Sequence, residues 1–227
     1  MPSETVFGVA RRPGVLVAGA AGALCVVALG LLVRHITVFV PLVASVNATH
    51  SPAVDALALA LAGLAEPVGV AAILTIFCCI VAWRTKHLTT AIAASAAIGL
   101  TWLSTSLVKL VIERPRPDWA LVTHHIVAME SNSSFPSAHV VFAASLATAV
   151  TLLAWHSAAR YWAVGFGVAI VIAMASARIY VGVHDPIDVT AGAVYGISMT
   201  LLCWSAIDWI AINWVSVRRM ERNKIAP

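Results

Sequence analysis

Long apolar runs separated by short polar breaks occupy most of the chain. Runs at about Gly14–Val33, Val68–Trp83, Leu88–Ile112, Ala138–Trp155, Tyr161–Val183 and Ile187–Trp209 approach or exceed the ~20 residues that an α-helix needs to cross a hydrocarbon core. The weak alternation of barrel strands is absent from them, and inside hydrocarbon every backbone N–H and C=O must be bonded internally. The pattern therefore predicts an all-α integral membrane protein with six transmembrane helices. Pro52–Glu66 places Val54, Leu57, Leu61 and Leu64 at helical spacing, is too short to cross, and is closed by Glu66-Pro67. It predicts a short interfacial helix between spans one and two; the alternative makes it an extension of the second span.

Composition sharpens this picture. Of the 227 residues 61% are hydrophobic and 11% charged, against roughly a quarter charged in an average soluble domain. The net charge of +4 does not point to nucleic acid, because the basic residues lie in short clusters between apolar runs and not along one soluble face. Arg11-Arg12 precede a first run that is long and is not followed by an A-x-A-like site, so it reads as an uncleaved span. With the N-terminus inside, cytoplasmic segments hold Arg11, Arg12, Arg84, Lys86, Arg160, Arg218, Arg219, Arg222 and Lys224, while outer segments hold Arg34, Lys109, Arg114, Arg116 and Arg178. Both termini are thus expected in the cytoplasm of a cell-membrane protein, with Trp83, Trp155, Trp162 and Trp214 as anchors at the inner boundary. Cys25, Cys78, Cys79 and Cys203 fall within apolar runs and read as small core residues, not as disulfide partners. Asp208, near the inner boundary, reads as solvated. The chain reads as a single domain over 1–227, with cytoplasmic tails 1–13 and 216–227 and a site region at 109–188.

Three polar clusters break the apolar pattern: Lys109 to Pro117, Pro136-Ser137-Ala138-His139, and Arg178 to Asp188. They fall at the end of the third span, the start of the fourth, and the junction of the fifth and sixth. An up-down-up path brings all three to one side of the membrane. Lys109, Arg116 and Arg178 are cations in costly surroundings, and converging cations call for an anion. Arg offers a planar fork that matches phosphate oxygens, and Lys a point charge. Ser137 reads as an N-cap, with the first backbone N–H groups near Ala138 and His139 facing the same anion. His139 and His184 add a proton carrier and a nucleophile, and Asp188, four residues beyond His184, is spaced to hold the far imidazole nitrogen. Glu113, Arg114 and Asp118 read as loop residues flanking the site. The pair His124-His125 lacks a carboxylate or cysteine set at ligand spacing, so no metal site is expected there. Asn47-Ala-Thr49 and Asn132-Ser-Ser134 match the glycan acceptor pattern.

The spacings K-x6-R-P, P-S-x-H and R-x5-H-x3-D, in this order, resemble the signature of the type 2 phosphatidic acid phosphatase superfamily, in particular its membrane branch. The resemblance implies that Lys109, Arg116 and Arg178 bind phosphate with help from Ser137 and the Ala138 amide. It also implies that His184 attacks phosphorus, Asp188 orients His184, and His139 protonates the leaving oxygen. It implies a phosphohistidine intermediate, no metal and no cofactor, and a lipid phosphate or diphosphate as substrate. The sequence departs from the usual P-S-G-H and S-R-x5-H-x3-D at Ala138 and Ala177. At 177 a hydroxyl donor is missing, and Ser176 lies about 100° further round a helix. The alternatives are a phosphotransferase with a non-water acceptor, and a lipid-phosphate binder or transporter without catalysis.

The charge distribution makes a direct prediction: a reporter fused at Pro227 should signal from the cytoplasmic side, while a label on the loop holding His184 should react from outside. A reporter at Pro227 that is active only outside would overturn this orientation.

Overall fold

A computed structural model describes residues 13–128 and 130–225, with side chains as far as Ile210. Arg11, Arg12 and most of the predicted N-terminal tail lie outside the described residues, as do the side chains of Trp214, Arg218, Arg219, Arg222 and Lys224. The described chain is all helical: α1 (Pro13–Val33), α2 (Val40–Asn47), α3 (Pro52–Leu64), α4 (Pro67–Thr85), α5 (Leu88–Ile112), a 3-10 turn (Trp119–Leu121), α6 (Ala138–Ala154), α7 (Ala159–Tyr180) and α8 (Pro186–Ile225). Prolines stand in the first turn of α1 to α4 and of α8, where the missing N–H is harmless and the fixed φ already suits a helix.

Five of these helices, α1, α4, α5, α7 and the part of α8 up to Ile210, are long and apolar enough to cross a membrane. The fourth predicted span, Ala138–Trp155, forms the 17-residue α6, about 26 Å long at 1.5 Å per residue. It is wrapped by protein: α7 and α8 pack along it, α5 touches it, and Val140 and Val141 are completely buried. The predicted Pro52–Glu66 element is a helix of its own over Pro52–Leu64, separated from α4 by Ala65-Glu66. The last helix does not stop near Trp209 but continues to Ile225, so most of the expected C-terminal tail is helical. Sequence periodicity gave no sign of α2, a helix too short for a pattern to register.

Antiparallel α5, α6, α7 and α8 form the centre, with α1 against α8 and α4 against α5. On α5, Ala91, Ala94, Ile98, Thr101, Thr105, Val108 and Ile112 are buried at alternating intervals of three and four, the spacing of a single helical stripe. Across it the Ser104 and Tyr195 hydroxyls are bonded at 2.9 Å, and Thr200 donates to Thr101 at 3.4 Å. Such interhelical bonds contribute about 0.6 kcal/mol each in a bilayer. Large apolar side chains such as Leu24, Leu32, Leu107 and Phe166 point outward, as expected where lipid is the solvent. Trp83, Trp155 and Trp162 are exposed at the end remote from the polar clusters.

Two expectations need correction. Asp208 is buried on the face of α8 that also buries Trp204, because helical spacing carries it inward. Only Cys203 among the cysteines lies in the core; Cys78 is half-buried, and Cys25 and Cys79 face outward, all four as free thiols.

Gly192 and Gly196 let α8 approach α6 closely. A Cβ at Gly196 would lie 2.7 Å from the Val141 carbonyl oxygen and 2.8 Å from the Ala144 Cβ, and one at Gly192 would lie 2.9 Å from the Ser137 carbonyl oxygen. This is a small-xxx-small contact between helices, and it brings the start of α8 against the start of α6. Gly196→Val should therefore cost about 1–3 kcal/mol through overpacking, read as a lowered denaturation midpoint in detergent. Gly165→Ala, where a Cβ meets nothing within 4 Å, should leave the midpoint unchanged. Equal midpoints for both variants would mean that the two helices do not need this close approach.

Candidate active site

The C-terminal ends of α5 and α7 and the N-terminal ends of α6 and α8 meet at one end of the bundle, and the three polar clusters meet with them. Helix α5 stops at Glu113, whose φ of 52° breaks the helical path. The next residues alternate Arg114-Pro115-Arg116-Pro117, and each Pro holds the Arg before it in an extended conformation. The segment therefore leaves the helix straight and delivers two guanidiniums to different partners. Helix α7 stops at Tyr180, and Gly182 at φ 88° turns the chain so that His184 sits in a loop and not on a helix face.

His184 and Asp188 are buried, 1% and 0% exposed, and the His184 Nδ1–H donates to Asp188 Oδ2 at 3.4 Å. With the proton on Nδ1, the Nε2 lone pair faces Arg116 Nη1 at 3.3 Å and accepts from it. Burial holds the His184 proton affinity well below the ordinary imidazole range, and the charges of Arg116, Arg178 and Lys109 push the same way. A neutral imidazole with one nitrogen fixed by a carboxylate is chemically a nucleophile. Lys109, Ala138, His139 and His184 line one cavity of about 210 Å³, whose rim includes Glu66, Trp102 and Leu103.

Five buried polar atoms at this place have no hydrogen-bond partner among the described residues: Trp102 Nε1, Ser133 Oγ, Ser137 Oγ, His139 Nε2 and Arg178 Nε. Ser137 occupies the N-cap position of α6, as expected, but its hydroxyl makes no cap bond, so it is free for something else. His139 Nε2 lies 3.6 Å from Glu66 Oε1, beyond hydrogen-bond reach. Buried polar atoms left unpaired are costly, and a cluster of them is a common feature of functional sites.

Sequence reading missed three acidic residues. Asp185 accepts from the N–H groups of Ile187 and Asp188 at 2.9 and 3.1 Å and so caps α8; the pair Asp185-Pro186 was a legible helix-start signal. Glu130 bridges Arg116 and Arg178, 2.5 Å from each, and no periodicity in its loop could have revealed it. Burial would raise the Glu130 pKa, but Arg116 and Arg178 outweigh it and bring it down to about 2. Glu66 was seen only as a helix stop.

Other assignments change as well. Arg114 does not flank the site from a solvated loop: it is 3% exposed and paired with Asp185 at 2.7 Å and Asp188 at 2.5 Å. Asn47 is 1% exposed, donating to the carbonyls of His124 and Tyr180, so it presents no glycan acceptor. Asn132 accepts from Lys109 and Arg116. His124 is bonded to Asp55 at 2.8 Å and stacked on His50. Ala177 packs in an apolar cluster with Ala58 and Val181, and Ser176 is exposed.

Residues 84–211 match the PAP2 superfamily, which is the type 2 phosphatidic acid phosphatase superfamily. This chain belongs to the PAP2 superfamily. Among curated relatives, the putative undecaprenyl-diphosphatase YbjG of Escherichia coli strain K12 is 28% identical over 122 residues, covering 52% of this chain and 56% of that protein. The chain thus spans about half the length of that relative. The crystal structure of a transmembrane PAP2-type phosphatidylglycerolphosphate phosphatase from Bacillus subtilis superposes with a TM-score of 0.65 at 19% identity, covering 86% of this chain and 96% of the other. That likeness establishes a shared fold, a PAP2 membrane bundle. The PAP2 match includes every one of the site residues predicted from the sequence, from Lys109 to Asp188.

Arg114 generates a test at this level. Arg114→Ala would leave Asp185 and Asp188 buried without their cation, and breaking a buried pair in this way costs about 3–5 kcal/mol. The expected outcome is a large fall in the denaturation midpoint, with Arg114→Lys falling less; an unchanged midpoint in Arg114→Ala would show that the pair contributes nothing.

Proposed function

We propose that this PAP2 protein hydrolyses the phosphomonoester or diphosphate headgroup of a membrane lipid through a phosphohistidine on His184. The observation that carries the reading is the buried His184–Asp188 pair set beside Lys109, Arg116 and Arg178, with Ser137 Oγ, His139 Nε2 and Arg178 Nε unpaired among the described residues. Binding alone does not call for a nucleophile with its own orienting carboxylate.

In the first step the His184 Nε2 lone pair forms a bond to phosphorus in line with the leaving oxygen. The P–O bond to the lipid, or to the inner phosphate of a diphosphate, breaks with its electron pair on that oxygen. His139 supplies a proton to it. Lys109, Arg116, Arg178, the Ser137 hydroxyl and the Ala138 amide hold the other phosphoryl oxygens, and Asp188 stabilises the positive imidazole. In the second step His139 takes a proton from water, the water oxygen bonds to phosphorus, the P–N bond breaks, and inorganic phosphate leaves. The guanidinium and ammonium groups supply the charge compensation that a metal ion gives in other phosphoryl-transfer enzymes.

We read α6 as a sixth crossing, with the site at the extracytoplasmic face, both termini in the cytoplasm and α3 at the interface. The cavity rim at Trp102 and Leu103, the latter 57% exposed on the outer surface of the bundle, supports sideways entry of a headgroup from the bilayer. The Escherichia coli relative makes an isoprenoid diphosphate the first substrate to try.

The test is phosphate release in detergent, without added acceptor, from an isoprenoid diphosphate, phosphatidylglycerophosphate and phosphatidic acid, each with and without EDTA. Release is expected from at least one lipid, unaffected by EDTA and abolished in His184→Ala. Asp188→Asn should lower turnover by about 10⁴, by analogy with the orienting carboxylate of a serine triad. Release only with an added acceptor would indicate a phosphotransferase. Near-full activity in Asp188→Asn would make that residue structural.

A further inference from the structure

The cation set assigned to phosphate is already occupied by part of the chain itself. Glu130 places one carboxylate oxygen on Arg116 Nη2 and the other on Arg178 Nη2, each at 2.5 Å. The neighbouring residues continue the pattern with neutral oxygens. Lys109 Nζ donates to the Ser133 carbonyl at 2.7 Å and to Asn132 Oδ1 at 3.3 Å, and Arg116 donates to the Asn132 carbonyl at 3.1 Å. Segment 130–133 therefore contacts all three cations, with one full negative charge on the guanidinium pair, while Arg178 Nε keeps no partner among the described residues.

Its position suits exchange. The Glu130 side chain is 30% exposed, whereas that of Arg178 is 2% exposed. The carboxylate lines both the 210 Å³ cavity of His139 and His184 and an outer cavity of about 790 Å³ bordered by Pro115, Pro117 and Ser131. It borders both cavities and is partly exposed, so it is the member of the ion-pair set most open to replacement. The three-cation site needs such a group twice in each cycle. When empty, buried cations without a counter-charge would carry a desolvation penalty of several kcal/mol each. After hydrolysis the same cations would hold inorganic phosphate, a small dianion with no lipid tail to help draw it away.

Resting on the phosphatase reading above, we propose that Glu130 is the exchange ligand of the phosphoryl site. Its carboxylate fills the Arg116–Arg178 pair between turnovers, yields it to the incoming headgroup, and takes it back as phosphate leaves. Because it is tethered a short distance away, it competes at an effective concentration in about the millimolar range without diffusing to the site. A tethered competitor weakens every phosphoryl ligand by the same factor, so substrate, product and phosphate analogues should all respond together.

The test is Glu130→Gln, which keeps the shape of the side chain and removes its charge. Phosphate and vanadate affinities are read from the melting shift of the detergent-purified full chain, a measurement that needs no turnover. Both ligands should bind about tenfold more tightly than in the wild type, and KM for the lipid should fall in parallel. Glu130→Asp, with one methylene less and too short to bridge both guanidiniums, should shift in the same direction by less, and serves if the Gln variant is poorly folded. Phosphate and vanadate affinities no tighter than wild type in a folded variant overturn the proposal, because Glu130 would then be holding the cations for the ligand and not competing with it. Tighter phosphate binding in a protein that releases phosphate from no lipid would leave the exchange ligand standing and sink the hydrolysis reading; the reverse result would separate them the other way.

Discussion

The Arg114 guanidinium lies between Asp185 and Asp188, 2.7 and 2.5 Å from their carboxylates, in a place from which water is excluded. It also donates to the carbonyls of Val33 and Ile36, so the end of α1, the end of α5 and the start of α8 share one charged group. Its positive charge faces the same carboxylate that holds the His184 imidazole. The clamp thus has a mechanical and an electrostatic effect. It fixes where α8 begins relative to α5, and it keeps a negative charge beside the imidazole.

Around this clamp the charges are layered. Asp188 faces Arg114 on one side and His184 on the other, while the imidazole's far nitrogen meets Arg116. Arg116 and Arg178 in turn meet Glu130. Signs alternate from the core outward, which lowers the cost of placing so many ionisable groups at the end of an apolar bundle. The outermost layer is the one a ligand can replace. The inner layers are held by helix starts and stops, so exchanging the outer anion need not disturb the nucleophile.

The bundle serves this arrangement through close packing. Gly192 and Gly196 bring α8 within contact of the α6 backbone, and the Ser137 N–H donates to the Asp188 carbonyl at 3.1 Å across that junction. His139 and Asp188 therefore stand on helices whose first turns touch. Lipid gives little hydrophobic drive for helices to associate, so small-residue contacts and interhelical hydrogen bonds such as Ser104 to Tyr195 carry much of that task.

The sequence by itself determined that the described chain is all helical, where the main helices lie, and which basic and histidine side chains meet at one end. Hydrophobic runs are local, and the spacings K-x6-R-P, P-S-x-H and R-x5-H-x3-D follow directly from helix ends along the chain. It did not determine the fate of residues whose meaning depends on a distant partner. Arg114 and Arg116 are two apart in the same Arg-Pro repeat, yet one is clamped by Asp185 and Asp188 and the other faces His184 and Glu130. Asn47 looked like a surface acceptor and is buried against Tyr180 and His124. Glu130 lies in a loop with no pattern at all, and only folding brings its carboxylate onto Arg178, 48 residues further along the chain. Charge pairing across such separations is a property of the packed bundle, since electrostatic partners are chosen by distance in space and leave no period in the sequence.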